Sequence, residues 1–172
     1  MLALRSDIEK ALDELISNEE GMRFQGLAVV LAKQRWTDLI ACERKKDLGA
    51  DAIGLGRVLA CSLTATLGKI KGDATKIKKH FDIRTKSLVF ATPEKVTNTM
   101  AENWASEIRK EFNYELAVMS REDIIVSLLN PSNLALCRTH LSIPITLEEP
   151  LEELLQKSCA CSRFEGNTEV VR

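Results

Sequence analysis

The second half of the chain switches repeatedly between two hydrophobic periods, and this limits the fold more than any other feature. Residues 88–92 form an apolar run of strand length, 95–112 repeat with a helical period, and 116–119 are strand-like again. Ser120-x-x-Asp123 then opens a helix to about residue 129. Strand, helix, strand, helix implies parallel pairing, because a parallel neighbour is reached only through a crossover long enough to hold a helix. Asn130-Pro131-Ser132 resets the chain into a short helical piece ending near Leu141.

The first half has a different rhythm. Ile8, Leu12, Leu15 and Ile16 fall at helical spacing behind a Ser6-x-x-Glu9 capping box, predicting a helix over 6–17. A second helix is expected from near Glu19, with Met22, Leu27, Val30 and Leu31 inward, ending before Trp36. Residues 39–42, 52–55 and 58–63 read as three short strands, with Gly56-Arg57 as a hairpin connection between the last two. A helix over about 68–81 buries Ile70, Ala74, Ile77 and Phe81 on one stripe. The expected architecture is α/β, a central mixed sheet of about five strands flanked by helices. Its 172 residues suit one domain, 1–145, followed by an acidic and then polar tail or linker at 146–172. An ending of that kind suggests a further domain in a longer natural chain.

Charge is distributed unevenly. Six acids in residues 1–20 face Arg5 and Lys10, whereas eight bases in 57–86 (Arg57, Lys69, Lys71, Lys76, Lys78, Lys79, Arg84, Lys86) face Asp73 and Asp82. A local basic excess is the footprint of a nucleic-acid surface, though surface helices also carry lysines for solvation alone. No apolar run approaches the roughly 20 residues of a membrane helix, and the N-terminus turns acidic before a signal-peptide core could form. A cytosolic, cytoplasmic protein with no membrane partner is expected. Cys42, Cys61 and Cys137 sit in apolar runs and read as reduced, buried thiols; Cys159-Ala160-Cys161 lacks the spacing of a zinc knuckle. With aromatics at 5%, the chain lacks the stacking platforms of single-strand binders, which favours duplex DNA. His80 and His140 are isolated and read as structural.

The chemistry-bearing stretch is Asp47-Leu48-Gly49-Ala50-Asp51, a glycine-containing acidic turn, followed by Val58-Leu59-Ala60-Cys61-Ser62-Leu63. A carboxylate at one strand end, faced by polar groups on the next, suits a hard divalent cation that takes oxygen ligands from two directions. The element order and this turn resemble the PD-(D/E)xK restriction-endonuclease-like superfamily over roughly residues 20–120, and within it the Mrr-type restriction endonuclease group. Asp51 matches the family's metal-binding aspartate. Gln25, in Met22-Arg23-Phe24-Gln25-Gly26-Leu27, stands where the family has an acid. Residues 88–92 match its fourth strand ending in threonine. The resemblance implies a metal-dependent DNA endonuclease using Mg²⁺ (with Mn²⁺ as an alternative), a module of a larger restriction or defence protein, often a homodimer because a duplex has two strands.

The chain departs from that pattern where the chemistry is concentrated. Ala60 and Ser62 occupy the positions of the family's second acid and its lysine. Alanine cannot ligate, and a serine hydroxyl cannot replace an ammonium. Migrated groups are then expected. Lys69 is the first candidate for the lysine and Lys71 the second; Glu43 or Glu20 are candidates for the missing acid, Gln25 for holding a metal-bound water, and a backbone carbonyl near Cys61 for a further ligand. Lys69, Lys71, Lys76 and Lys79 are the candidate DNA contacts. The rival is a catalytically inactive nuclease-like domain that binds DNA or a protein partner. Asp51 also has a plainer reading, a turn aspartate bonded to its own backbone.

Overall fold

The computed structural model of the chain describes residues 2–42, 48–81 and 85–144. Within them the order is α1 (Leu2–Ser17), α2 (Gly21–Arg35), β1 (Ile40–Ala41), β2 (Ala52–Ile53), β3 (Arg57–Cys61), α3 (Leu67–Phe81), β4 (Ser87–Ala91), α4 (Asn98–Phe112), β5 (Glu115–Met119), α5 (Arg121–Leu128) and α6 (Leu134–Leu141), with a single 3-10 turn, Pro131–Asn133, before α6. The five strands form one mixed sheet in chain order. β2 runs antiparallel to β1 and β3, whereas β3, β4 and β5 are parallel. This is the α/β architecture with a five-stranded mixed sheet that the two hydrophobic periods imply.

Alternation along the strands builds two cores. Val58, Ala60, Leu88 and Phe90 face α3 and α4, packing on Ile70, Ala74, Ile77, Trp104, Ile108 and Phe112. Leu59, Val89 and Ala91 face the other way, onto α1, α2, α5 and α6 through Leu12, Phe24, Leu27, Ile124 and Leu141. A sheet covered on both sides must have apolar residues at every strand position, which is why these strands read as continuous apolar runs.

Element ends differ from expectation for local reasons. Helix α1 starts at Leu2, so Ser6 lies exposed inside it rather than capping it, and Glu9 pairs with Arg5 at 3.0 Å. Leu4 packs against the core, which draws the helix back beyond the serine. Strand β2 stops at Ile53 because the Gly54 N–H donates to the Arg57 carbonyl at 2.8 Å across a two-residue turn, Leu55-Gly56. Gly56 takes a positive φ of 75° there, and Arg57 belongs to β3. Helix α4 waits until Asn98, where Thr97 caps it by accepting the Met100 N–H. The Ser120–Asp123 capping box forms as read. The 146–172 tail, with Cys159 and Cys161, lies outside the described residues. No helix among the described residues is long and apolar enough to cross a membrane.

Candidate functional site

Asp51 sits where the sheet opens, just before β2. Its N–H donates to the Leu59 carbonyl at 2.7 Å, although Leu59 is registered with Ala52. Two consecutive residues thus address one partner, the arrangement of a β-bulge, which turns a side chain off the regular pleat. The carboxylate is held by the Cys61 N–H, donating to Oδ2 at 2.6 Å, while the Asp51 carbonyl accepts from the Cys42 N–H at 2.9 Å. Asp51 is therefore tied to the ends of β1 and β3. Those two strands flank β2, so Cys42 and Cys61 lie about 10 Å apart by strand spacing, beyond disulfide reach.

Helix α3 completes the site. Gly49 has a φ of 74°, and a Cβ there would lie 2.9 Å from the Asp73 carbonyl and 3.0 Å from Lys76 Cβ. The described part of the turn, at Gly49, therefore lies directly on α3, and only glycine permits that approach; Asp47 lies outside the described residues. At the contact, Asp73 is 3% exposed, and its Oδ1 accepts from Lys69 Nζ at 2.7 Å, one helical turn back. Beneath α3, Ala60 is packed with Ile70 and Ala74. An acid at position 60 would be buried under the same helix that supplies Asp73, which is why a small residue fits on the strand.

The charges interact. Burial pushes the Asp51 carboxyl above its ordinary pKa; hydrogen bonds from Cys61 oppose the shift, the Asp73 charge adds to it and the Lys69 charge counters it. Burial, with the Asp51 charge, drives the Cys61 thiol well up and raises Cys42. Both stay protonated at neutral pH and are poor metal ligands. The donors that remain are carboxylate oxygens and the backbone carbonyl near Cys61, oxygens of the type that Mg²⁺ and Mn²⁺ take. Among the described residues, no group of three or more His, Cys, Asp or Glu side chains could hold a metal ion. Two carboxylates match what Mg²⁺ needs when waters and substrate phosphate fill the other positions.

The other candidates scatter. Gln25 is half-buried in α2, across the sheet from α3, and its side chain makes no hydrogen bond among the described residues. Glu43 lies outside the described residues. Glu20 pairs with Arg23 at 2.8 Å. Lys71 is tied to Glu107 at 3.1 Å and Glu111 at 2.9 Å of α4. Lys76 is half-buried beside Gly49, whereas Lys79 is exposed. Ser62 spends its hydroxyl on the Thr64 N–H. Thr92 caps the Glu94 N–H, and Glu94 holds the Ala65 N–H at 2.7 Å, fixing the loop that starts α3. His140 lies by Gly26, its pKa lowered by burial and Arg23.

Sequence reasoning missed Asp73. Its signal was an acid at i+3 from Ile70 and next to Ala74 on the buried stripe of α3, four residues after Lys69.

These features define an α/β domain with an acid–acid–lysine cluster at the ends of its strands, where open α/β sheets bind ligands. No family model, characterised protein or solved structure matches the chain.

Proposed function

We propose that this domain is a Mg²⁺-dependent DNA endonuclease of the restriction-endonuclease-like class, with its second acid and its lysine supplied by α3 rather than β3. The observation that carries this reading is that the turn of Gly49, two residues before Asp51, packs on the backbone of Asp73, whose carboxylate pairs with Lys69 at 2.7 Å, so that Asp51 lies within electrostatic reach of both. The mixed sheet in chain order, with β2 reversed, supports the same resemblance. Asp51, anchored by the Cys61 N–H, and Asp73, anchored in α3, hold the cation. The cation supplies positive charge beside a phosphate and a water of lowered pKa. Lys69, with a flexible stem and 40% side-chain exposure, extends its ammonium to the phosphate as charge builds. Lys79 and the exposed side of α3 face the backbone of a duplex, and two copies serve its two strands.

The test is cleavage of supercoiled plasmid with Mg²⁺ or Mn²⁺. Asp51→Asn, Asp73→Asn and Lys69→Met should each abolish it, and cleavage that persists in Asp51→Asn would sink the reading. A binding-only domain is the second reading, favoured by Ala60, Ser62 and the absence of a three-ligand group among the described residues. It predicts no cleavage, with salt-sensitive DNA binding that survives chelation.

A further inference from the structure

We propose that the open edge of β5 takes an extended segment of a partner protein as an added strand, with an apolar side chain on the α4 side and a lysine or arginine three residues away on the α5 side. β3 and β4 separate this edge from the strand that follows Asp51, so it stands apart from the proposed nuclease site. β5 ends the sheet, and among the described residues no strand lies beyond it. The Glu115 N–H donates to the Lys86 carbonyl at 2.9 Å, and the Met119 carbonyl accepts the Thr92 N–H at 3.1 Å. By alternation Glu115, Ala117 and Met119 address β4, while Leu116 and Val118 each turn an N–H and a C=O to the open side. Exposed edges are ordinarily kept short or guarded by lysine, proline or a bulge. β1, at the other edge, has two residues; β5 has five, Glu115-Leu116-Ala117-Val118-Met119, with neither lysine nor proline. A cavity accompanies each face of this strand. Leu116, with Ala105 and Arg109 of α4, lines one of about 390 Å³. Met119, with Leu31 and Arg35 of α2 and Glu122, Asp123 and Val126 of α5, lines another of about 210 Å³. Leu116 packs with the α3 and α4 core and Met119 with the opposite core, so the cavities lie three residues apart on opposite faces, as the side chains of a neighbouring strand alternate. In the second cavity, Val126 is 58% exposed and suits an apolar stem. Arg35 lies over Trp36 and Glu122 pairs with Arg5, whereas Asp123 pairs with no cation among the described residues, which leaves it for the charged end of that stem. A second copy fits poorly. Paired antiparallel about Ala117, the register that uses all the outward groups, its Glu115 falls opposite Met119 on the face of Glu122 and Asp123, where like charges repel.

The probe is a labelled peptide, Lys-Val-Thr-Leu-Thr-Val-Lys, whose leucine lies three residues from a lysine in either chain direction. It is titrated onto the full chain by fluorescence anisotropy, with backbone amide exchange followed by NMR. Binding is expected, and it should slow exchange at Leu116 and Val118 while Glu115, Ala117 and Met119, already facing β4, change little. N-methylation of one alternating set of peptide amides should weaken binding about tenfold or more, as for loss of two hydrogen bonds, and methylation of the other set should not. Val118→Pro removes an outward N–H without touching the ladder to β4 and should weaken binding likewise. Glutamate in place of the peptide lysines should also weaken it, and Asp123→Asn should narrow that difference. Absence of peptide binding, or equal loss from both methylated sets, overturns the proposal. So does protection of the Leu116 and Val118 amides before peptide is added: protection that grows with protein concentration assigns the edge to a second copy, and protection independent of concentration assigns it to the chain itself. The peptide series on the parent decides even if Val118→Pro fails to fold.

Discussion

At the scale of single residues, Asp51 carries its charge at a cost. Burial raises its folded pKa above that of an unfolded aspartate, so the folded state holds the proton more tightly. The stability contributed by this group is complete below the unfolded value of about 4 and is lost as pH rises through the higher folded value. Asp51→Asn should therefore melt above the parent at pH 7 and no higher than it at pH 3, in thermal melts without divalent ions. An aspartate that merely braced its turn would give the opposite, a lower melt at pH 7. Cleavage should likewise fall with acidity at a pH above the ordinary carboxylate range. Gly49 is the second sensitive position. Gly49→Ala should cost about 1–2 kcal/mol for the left-handed backbone alone, and the clash with the Asp73 carbonyl adds to it. Chemical denaturation reads the stability loss, and weaker Mn²⁺ binding reads the separation of the acidic turn from α3.

At the scale of elements, α3 has distinct faces. Ile70, Ala74 and Ile77 are buried in the core, Asp73 is buried at the site, and Lys71 is bridged to α4. Hydrogen bonds that Lys71 donates to Glu111 and Glu107 raise its pKa, so its charge is already answered within the protein. The lysines of this helix are therefore unequal as DNA contacts. Lys79→Ala should lower the slope of log affinity against log salt by about one, and Lys71→Ala should leave it nearly unchanged, both measured by titration across salt. Equal slopes for the two variants would show that the pairing with α4 does not hold in solution.

At the scale of the whole molecule, the site depends on two cores meeting at the sheet. Phe90, fully buried in β4 beneath α3 and α4, transmits the position of α3 to β3. Phe90→Ala should cost about 3–5 kcal/mol and lower Mn²⁺ affinity as well, because α3 carries Asp73. On the opposite face, the 7%-exposed Arg121 joins α1 to α5, donating to Asp13 at 2.6 Å, the Glu9 carbonyl at 2.7 Å and the Pro93 carbonyl at 3.4 Å. Asp13 is largely exposed, so most of the effect comes from the two carbonyls. Arg121→Met should cost about 2 kcal/mol, discounted for that exposure, with Mn²⁺ binding retained. The two variants thus separate loss of stability from loss of the site.

The α/β class, the order of the elements and the parallel half of the sheet were legible because hydrophobic period is a local property that survives without knowledge of partners. Asp51 and Lys69 were candidates on a different ground, the resemblance of the acidic glycine turn and the long stem of a lysine at the start of the next helix. Ser6 misled because burial of Leu4 overrode a local capping signal. Asp73 could not be ranked, since one acid in a basic helix gains meaning only when its burial is known. Only the tertiary structure decided that Gly49 lies against α3 and that Ala60 packs beneath it. Which carboxylates meet depends on contacts between residues distant in the chain, and these are set by packing.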